Sequence, residues 1–170
     1  MSELASEPSM RGWENPAAGE RQQILRETRT LAMVGASPNP ARASNFVATY
    51  LLSSSAYEVW FVNPNATEIL GRPVYPSLAD LPGVPDLVDV FRRTDDLPSV
   101  AKEFVAIPGT KTFWCQLGLY SEEAVDIVTE AGRTAVMNRC FKIEHARFRG
   151  GLHMAGFDTG VISSKRNPPL

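Results

Sequence analysis

Five short apolar runs recur along this chain, and each is separated from the next by a stretch long enough to cross from one strand to another. They are LAMVG (31–35), YEVWFV (57–62), DLVDVF (86–91), TKTFWC (110–115) and RTAVMN (133–138). Runs of this length, rich in β-branched and aromatic residues, read as strands. Helices are expected between them at 44–54, 98–106 and 121–131. In the last of these, Ser121 precedes Glu122 and Glu123 in the first turn, and Gly132 stands where a C-cap glycine belongs. Parallel strands need crossovers, and crossover helices bury a stripe on each face of the sheet. The alternation therefore predicts an α/β, Rossmann-like three-layer fold with a five-stranded parallel sheet in the order 3-2-1-4-5.

The flanks are less regular. Residues 1–15 are polar and aperiodic and read as a mobile N-terminal tail. Asn15-Pro16 resembles an N-cap followed by proline at the first helical position, opening a helix that runs to about residue 29. The connection NPNATEILGRPVYPSLADLPGVP (63–85) is rich in Pro and Gly, with one helical turn expected at 77–81. A helix is expected over CFKIEHARF (140–148), followed by an extended tail. The domain is thus bounded at 16–148, with a C-terminal extension at 149–170.

At 170 residues and 44% hydrophobic content, one domain with a real core is expected. Lys and Arg number 17 against 19 Asp and Glu, which leaves no broad basic footprint for nucleic acid or an anionic membrane. No apolar segment reaches the roughly 18 residues of a membrane span, and no leader-like run opens the chain. Two cysteines, Cys115 and Cys140, make neither a disulfide framework nor a metal spacing. A soluble cytoplasmic protein is the expectation.

In an open parallel sheet, ligands bind beyond the carboxyl ends of the strands, where strand order reverses. The residues placed there are Gly35, Ala36 and Ser37; Asn63, Pro64 and Asn65; Arg92 and Arg93; Gln116, Leu117 and Gly118; and Arg139 and Cys140. In TLAMVGASPNPARAS (30–44), the loop after the first strand offers backbone N–H groups at Ala36, Ser37 and Asn39, the Ser37 hydroxyl and the start of a helix. Pro38 and Pro40 cannot donate, so Arg42 would supply charge for a phosphate. The second strand ends in Asn63, where NAD binding normally places an acid, which argues against NAD and leaves NADP open. No second domain for a hydride acceptor is visible.

Together, VGASPNPARAS, FVNPNATEILGRPVYPSLADLP, DLVDVFRR, FWCQLGLYSEEA and AVMNRCFKIEHARF resemble the stand-alone CoA-binding proteins, whose domain is similar to the CoA-binding part of the succinyl-CoA synthetase alpha subunit. The resemblance spans roughly 31–148. It implies that coenzyme A or an acyl-CoA lies across the carboxyl edge. Gly35, Ala36, Ser37 and Arg42 would hold the pyrophosphate, and Val62, Asn63, Pro64 and Asn65 would line the adenosine. Phe91, Arg92 and Arg93 would border the middle of the cofactor, with Gln116 and Gly118 nearer the pantetheine arm. The synthetase has a lysine in its second loop where this chain has NPNA. The synthetase's catalytic histidine lies in a domain this chain lacks, and His145 and His153 match no catalytic motif.

The sequence thus reads as a CoA-binding module without a catalytic constellation or metal site of its own. An NADP-dependent oxidoreductase or other nucleotide-dependent enzyme is the alternative, and a CoA-binding partner subunit of an acyl-CoA enzyme is a third reading. Cys115 and Cys140, at the ends of neighbouring expected strands, would permit a thiol pair or a mixed disulfide with CoA; buried packing cysteines are the plainer reading.

Overall fold

The computed structural model describes residues 12–154, with side chains described to residue 149. Residues 1–11 of the expected tail at 1–15, the segment 155–170 and the side chain of His153 lie outside the described residues, whereas Trp13 and Asn15 at the end of that expected tail are held against the domain. Seven strands form one sheet: β1 (Thr30–Val34), β2 (Glu58–Val62), β3 (Glu68–Ile69), β4 (Arg72–Tyr75), β5 (Leu87–Val90), β6 (Thr112–Cys115) and β7 (Thr134–Val136). All neighbours are parallel except the β3–β4 pair, and the order is β3-β4-β2-β1-β5-β6-β7.

The expected count and order are both corrected here. β3 and β4 arise inside the Pro/Gly-rich connection, and the five predicted runs stand in the order 2-1-3-4-5. β4 takes the place beside β2 that had been given to the run at 86–91. With β4 counted third among the parallel strands, the order becomes 3-2-1-4-5-6. β4 escapes an apolar-run search because RPVY is exposed or half-buried along its length and contains Pro73.

Among the described residues five α-helices cover the sheet. α1 (Ala18–Glu27), α2 (Ala43–Ser54) and α5 (Phe141–Met154) lie on one face, and α3 (Leu97–Val105) and α4 (Glu122–Glu130) on the other. Strand alternation feeds both cores: Phe113 and Cys115 pack towards α3 and α4, and Trp114 between them packs towards Phe141 of α5 at 5.1 Å between ring centroids. Ser121 caps α4 as expected, its Oγ accepting from Ala124 N at 3.1 Å. Asn15 is not a cap. Its side chain donates to Met137 O and accepts from Met137 N, each at 2.8 Å, which ties residues just before α1 to the end of β7. α5 continues to Met154, through residues expected to be extended. No helix among the described residues is long and apolar enough to cross a membrane.

Candidate functional site

β1 is flanked by β2 on one side and β5 on the other, so the crossovers on its two sides leave a crevice above its carboxyl end. Gly35 opens it. Its φ is +84°, and a Cβ there would stand 2.9 Å from Phe91 O. Only glycine lets the two strand ends approach this closely. The Gly35 N–H donates to Val62 O at 3.0 Å, so Gly35 supplies space rather than a ligand donor.

Above Gly35 lies a cleft of about 770 Å³, lined by Ser37, Arg42, Ala43, Ser44, Asn63, Asn65, Phe91, Arg92, Arg93, Asp95 and Asp96. A second hollow of about 300 Å³ adjoins it at Gly35, Arg92 and Asp96 and takes in Val62 and Pro64. Ten of the thirteen expected binding residues therefore border one continuous depression. The other three do not. Ala36 is buried, Gly118 sits in the β6–α4 loop with its N–H donating to Asn138 Oδ1 at 2.7 Å, and Gln116 is turned inward.

Local hydrogen bonds build the cleft wall. Asn39 N donates to Ser37 Oγ at 3.1 Å, so the Asn39 amide expected to face a phosphate is already engaged. Asn45 Nδ2 donates to Ser37 O at 3.0 Å, clamping the loop onto the first turn of α2. Asn63 Nδ2 donates to Ala36 O at 2.7 Å while its Oδ1 accepts from Asn65 N at 2.8 Å. Its side chain thus fastens the β1 and β2 loops together. Ala43 and Ser44, in the first turn of α2, line the cleft, and their amides have no acceptor among the described residues.

The charges are asymmetric. Arg92 is held by Asp96, with Nη2 at 3.4 Å from Oδ2. The Arg42 and Arg93 guanidiniums have no hydrogen bond or ion pair among the described residues, their only bonds being main-chain ones. Three guanidiniums against two carboxylates leave the lining cationic, and the two unpaired ones are those free to take an anion.

Beside the cleft, under the α1/α2/α5 face, lies a residue for which the sequence reading gave no role. Asp89 of β5 is fully buried, and burial pushes its carboxyl up to about 8 against the lowering effect of a hydrogen bond from Gln116. The available signal was an acid inside an otherwise apolar strand run. Cys115 is buried in the α3/α4 core, its thiol raised by burial and then by the Asp89 charge, whereas Cys140 packs on the opposite core. Both are free thiols on different sides of the sheet, so the pair that adjacent strand ends would permit is not formed, and each packs in a core as the plainer reading has it. His145 is buried on α5, its Nδ1 2.8 Å from the Tyr50 hydroxyl, away from the cleft lining. Among the described residues no group of three or more His, Cys, Asp or Glu side chains could hold a metal ion.

A doubly wound sheet with a cationic cleft at its switch point defines a Rossmann-like binding domain. The chain belongs to the CoA-binding domain family, which matches residues 29–146. It is 40% identical over 133 residues to the uncharacterized protein YneT of Bacillus subtilis, covering 78% of this chain and 97% of that one. A solved structure of a hypothetical protein from Pyrococcus horikoshii superposes with a TM-score of 0.75 at 37% identity, over 79% of this chain and 94% of the other. Acetate–CoA ligase [ADP-forming] I of Archaeoglobus fulgidus is 33% identical over 75 residues, 44% of this chain and 11% of the ligase. The chain is thus related to a part of a CoA ligase.

Proposed function

We propose that this protein binds coenzyme A or an acyl-CoA, seating its phosphates in the cleft at the carboxyl ends of β1, β2 and β5. The observation that carries the reading is that the unpartnered guanidiniums of Arg42 and Arg93 line the same cleft as the helix-start residues Ala43 and Ser44, above a glycine that keeps the floor open. Phosphates suit such a lining, because guanidinium and helix-start N–H groups both favour spread negative charge. Val62 and Pro64 offer an apolar wall for the adenosine in the adjoining hollow.

Calorimetric titration with CoA, dephospho-CoA and NADP tests the reading. CoA is expected to bind, dephospho-CoA more weakly if the 3′-phosphate meets one of the arginines. NADP binding without CoA binding would overturn the reading. Arg42→Ala is expected to weaken CoA by about 1.5–3 kcal/mol, the range for hydrogen bonds to charged groups. An unchanged affinity would remove Arg42 from the site.

A further inference from the structure

The hollow beside the phosphate cleft has two unlike walls. One is apolar: Val34 and Val62 end β1 and β2, and Pro64 and Pro76 lie in the chain that follows β2 and β4. The other is a single stripe of α3 and the residue before it. Asp96, Ser99, Val100 and Glu103 stand at i, i+3, i+4 and i+7, the spacing that brings side chains to one side of a helix.

The two ends of the hollow differ as well. Gly35, Arg92 and Asp96 line both depressions, so the boundary with the phosphate cleft lies at these residues. Glu103 lines the second hollow alone. At about 1.5 Å per helical residue it stands about 10.5 Å beyond Asp96 along α3, at the end away from the phosphate cleft. Of the two acids in this lining, Asp96 is already held by Arg92. The Glu103 carboxylate has no hydrogen bond or ion pair among the described residues. A carboxylate accepts and does not donate, so this end of the hollow suits a group that brings N–H. From the boundary outward the order is guanidinium, apolar wall, open acceptor. A nucleotide whose base carries an exocyclic amine has the matching order of phosphate, flat ring and N–H donor.

Resting on the reading of the cleft as the cofactor's phosphate site, we propose that Glu103 is a specificity-determining residue for the base, its carboxylate accepting from the 6-amino group of adenine. The hollow thereby selects 6-aminopurine nucleotides. A purine with hydrogen at that position leaves Glu103 unmatched, and a 6-oxopurine sets a second acceptor against it. Sites built to hydrogen-bond an N–H discriminate against ligands that lack it far better than apolar walls discriminate by shape.

The test compares, by calorimetric titration, adenosine 3′,5′-bisphosphate with purine riboside 3′,5′-bisphosphate, which lacks only the 6-amino group. The wild type is expected to prefer the adenosine compound about 10-fold, the worth of one hydrogen bond to a charged acceptor. Glu103→Ala is expected to bind the two about equally, and Glu103→Gln, which keeps a neutral acceptor, to hold an intermediate preference. Removing a negative charge near the phosphates favours both ligands alike, so the ratio is read rather than either affinity. Glu103 is exposed, so both variants are expected to fold, and their melting midpoints check this. Equal binding of the two compounds by the wild type, or an undiminished preference in folded Glu103→Ala, overturns the proposal. Should Glu103→Ala not fold, an undiminished preference in Glu103→Gln overturns it instead. Failure of the cofactor reading looks different, since the wild type would then bind neither bisphosphate nor CoA.

Discussion

Gly35 and Asn63 show how single residues at the cleft divide their duties. Gly35 carries a φ of +84° and has Phe91 O where its Cβ would be, at 2.9 Å. Alanine there would bear left-handed backbone strain of about 1–2 kcal/mol and push two central strand ends apart as well. Gly35→Ala is therefore expected to lose about 2 kcal/mol or more in chemical denaturation, and an unchanged denaturation midpoint would show that the strand ends yield freely. The position was legible, because an apolar run ending in glycine before a loop signals a strand-end turn. Its use was not, since the acceptor of its N–H, Val62 O, belongs to a strand 27 residues on and is fixed only by strand order. Asn63 was expected to touch the adenosine. Both ends of its side chain are occupied by Ala36 O and Asn65 N, so it shapes the site by joining two loops.

Among elements, α5 depends on an ion pair buried in its first turns. Glu144 is 3% exposed, and its Oε2 lies 3.2 Å from Nε of Arg21, itself only 8% exposed on α1. Arg21 Nη1 also donates to Pro16 O at 2.7 Å, so one guanidinium joins α1, α5 and the chain entering α1. Removing one member of a buried pair costs about 3–5 kcal/mol. Arg21→Leu is expected near the lower end, because Arg139 Nε remains 3.8 Å from Glu144 Oε1. Adding Glu144→Leu should recover much of the loss, and a double variant as unstable as the sum of its singles would show that the pair is not coupled. Neither partner was legible as buried, since a charged residue on a helix normally reads as solvated. The same logic explains the strands. The runs at β1, β2, β5, β6 and β7 were found because burial of the sheet leaves an apolar signature, whereas β4, next to the edge strand β3, needs none and left its place in the sheet order misassigned.

At the scale of the whole molecule, two aspartates three residues apart around β5, the neighbour of the central strand β1, set opposite pH responses. Asp86 lies just before β5. Burial raises its pKa, but N–H donation from Arg29 at 2.9 Å and Thr30 at 3.2 Å, together with Lys111, outweighs this and leaves it below the usual carboxylate value. The fold thus favours ionised Asp86, and its contribution is present above the unfolded pKa of about 3.9 and is lost as pH falls through the folded value. Asp89 works the other way. Burial raises its folded pKa to about 8, so the fold favours the neutral acid. Its contribution is full below about 3.9 and is lost progressively as pH rises towards the folded value, beyond which the loss is constant. Stability should therefore be greatest in mildly acidic solution and decline towards pH 8. Asp89→Asn removes the titration while keeping the shape, so its thermal midpoint is expected to hold nearly level from about pH 5 to 8 and to exceed the wild type's at the alkaline end. Melting curves of the two proteins across that interval check it. If their midpoints run parallel, Asp89 does not titrate in the folded molecule, and the alkaline decline has another source.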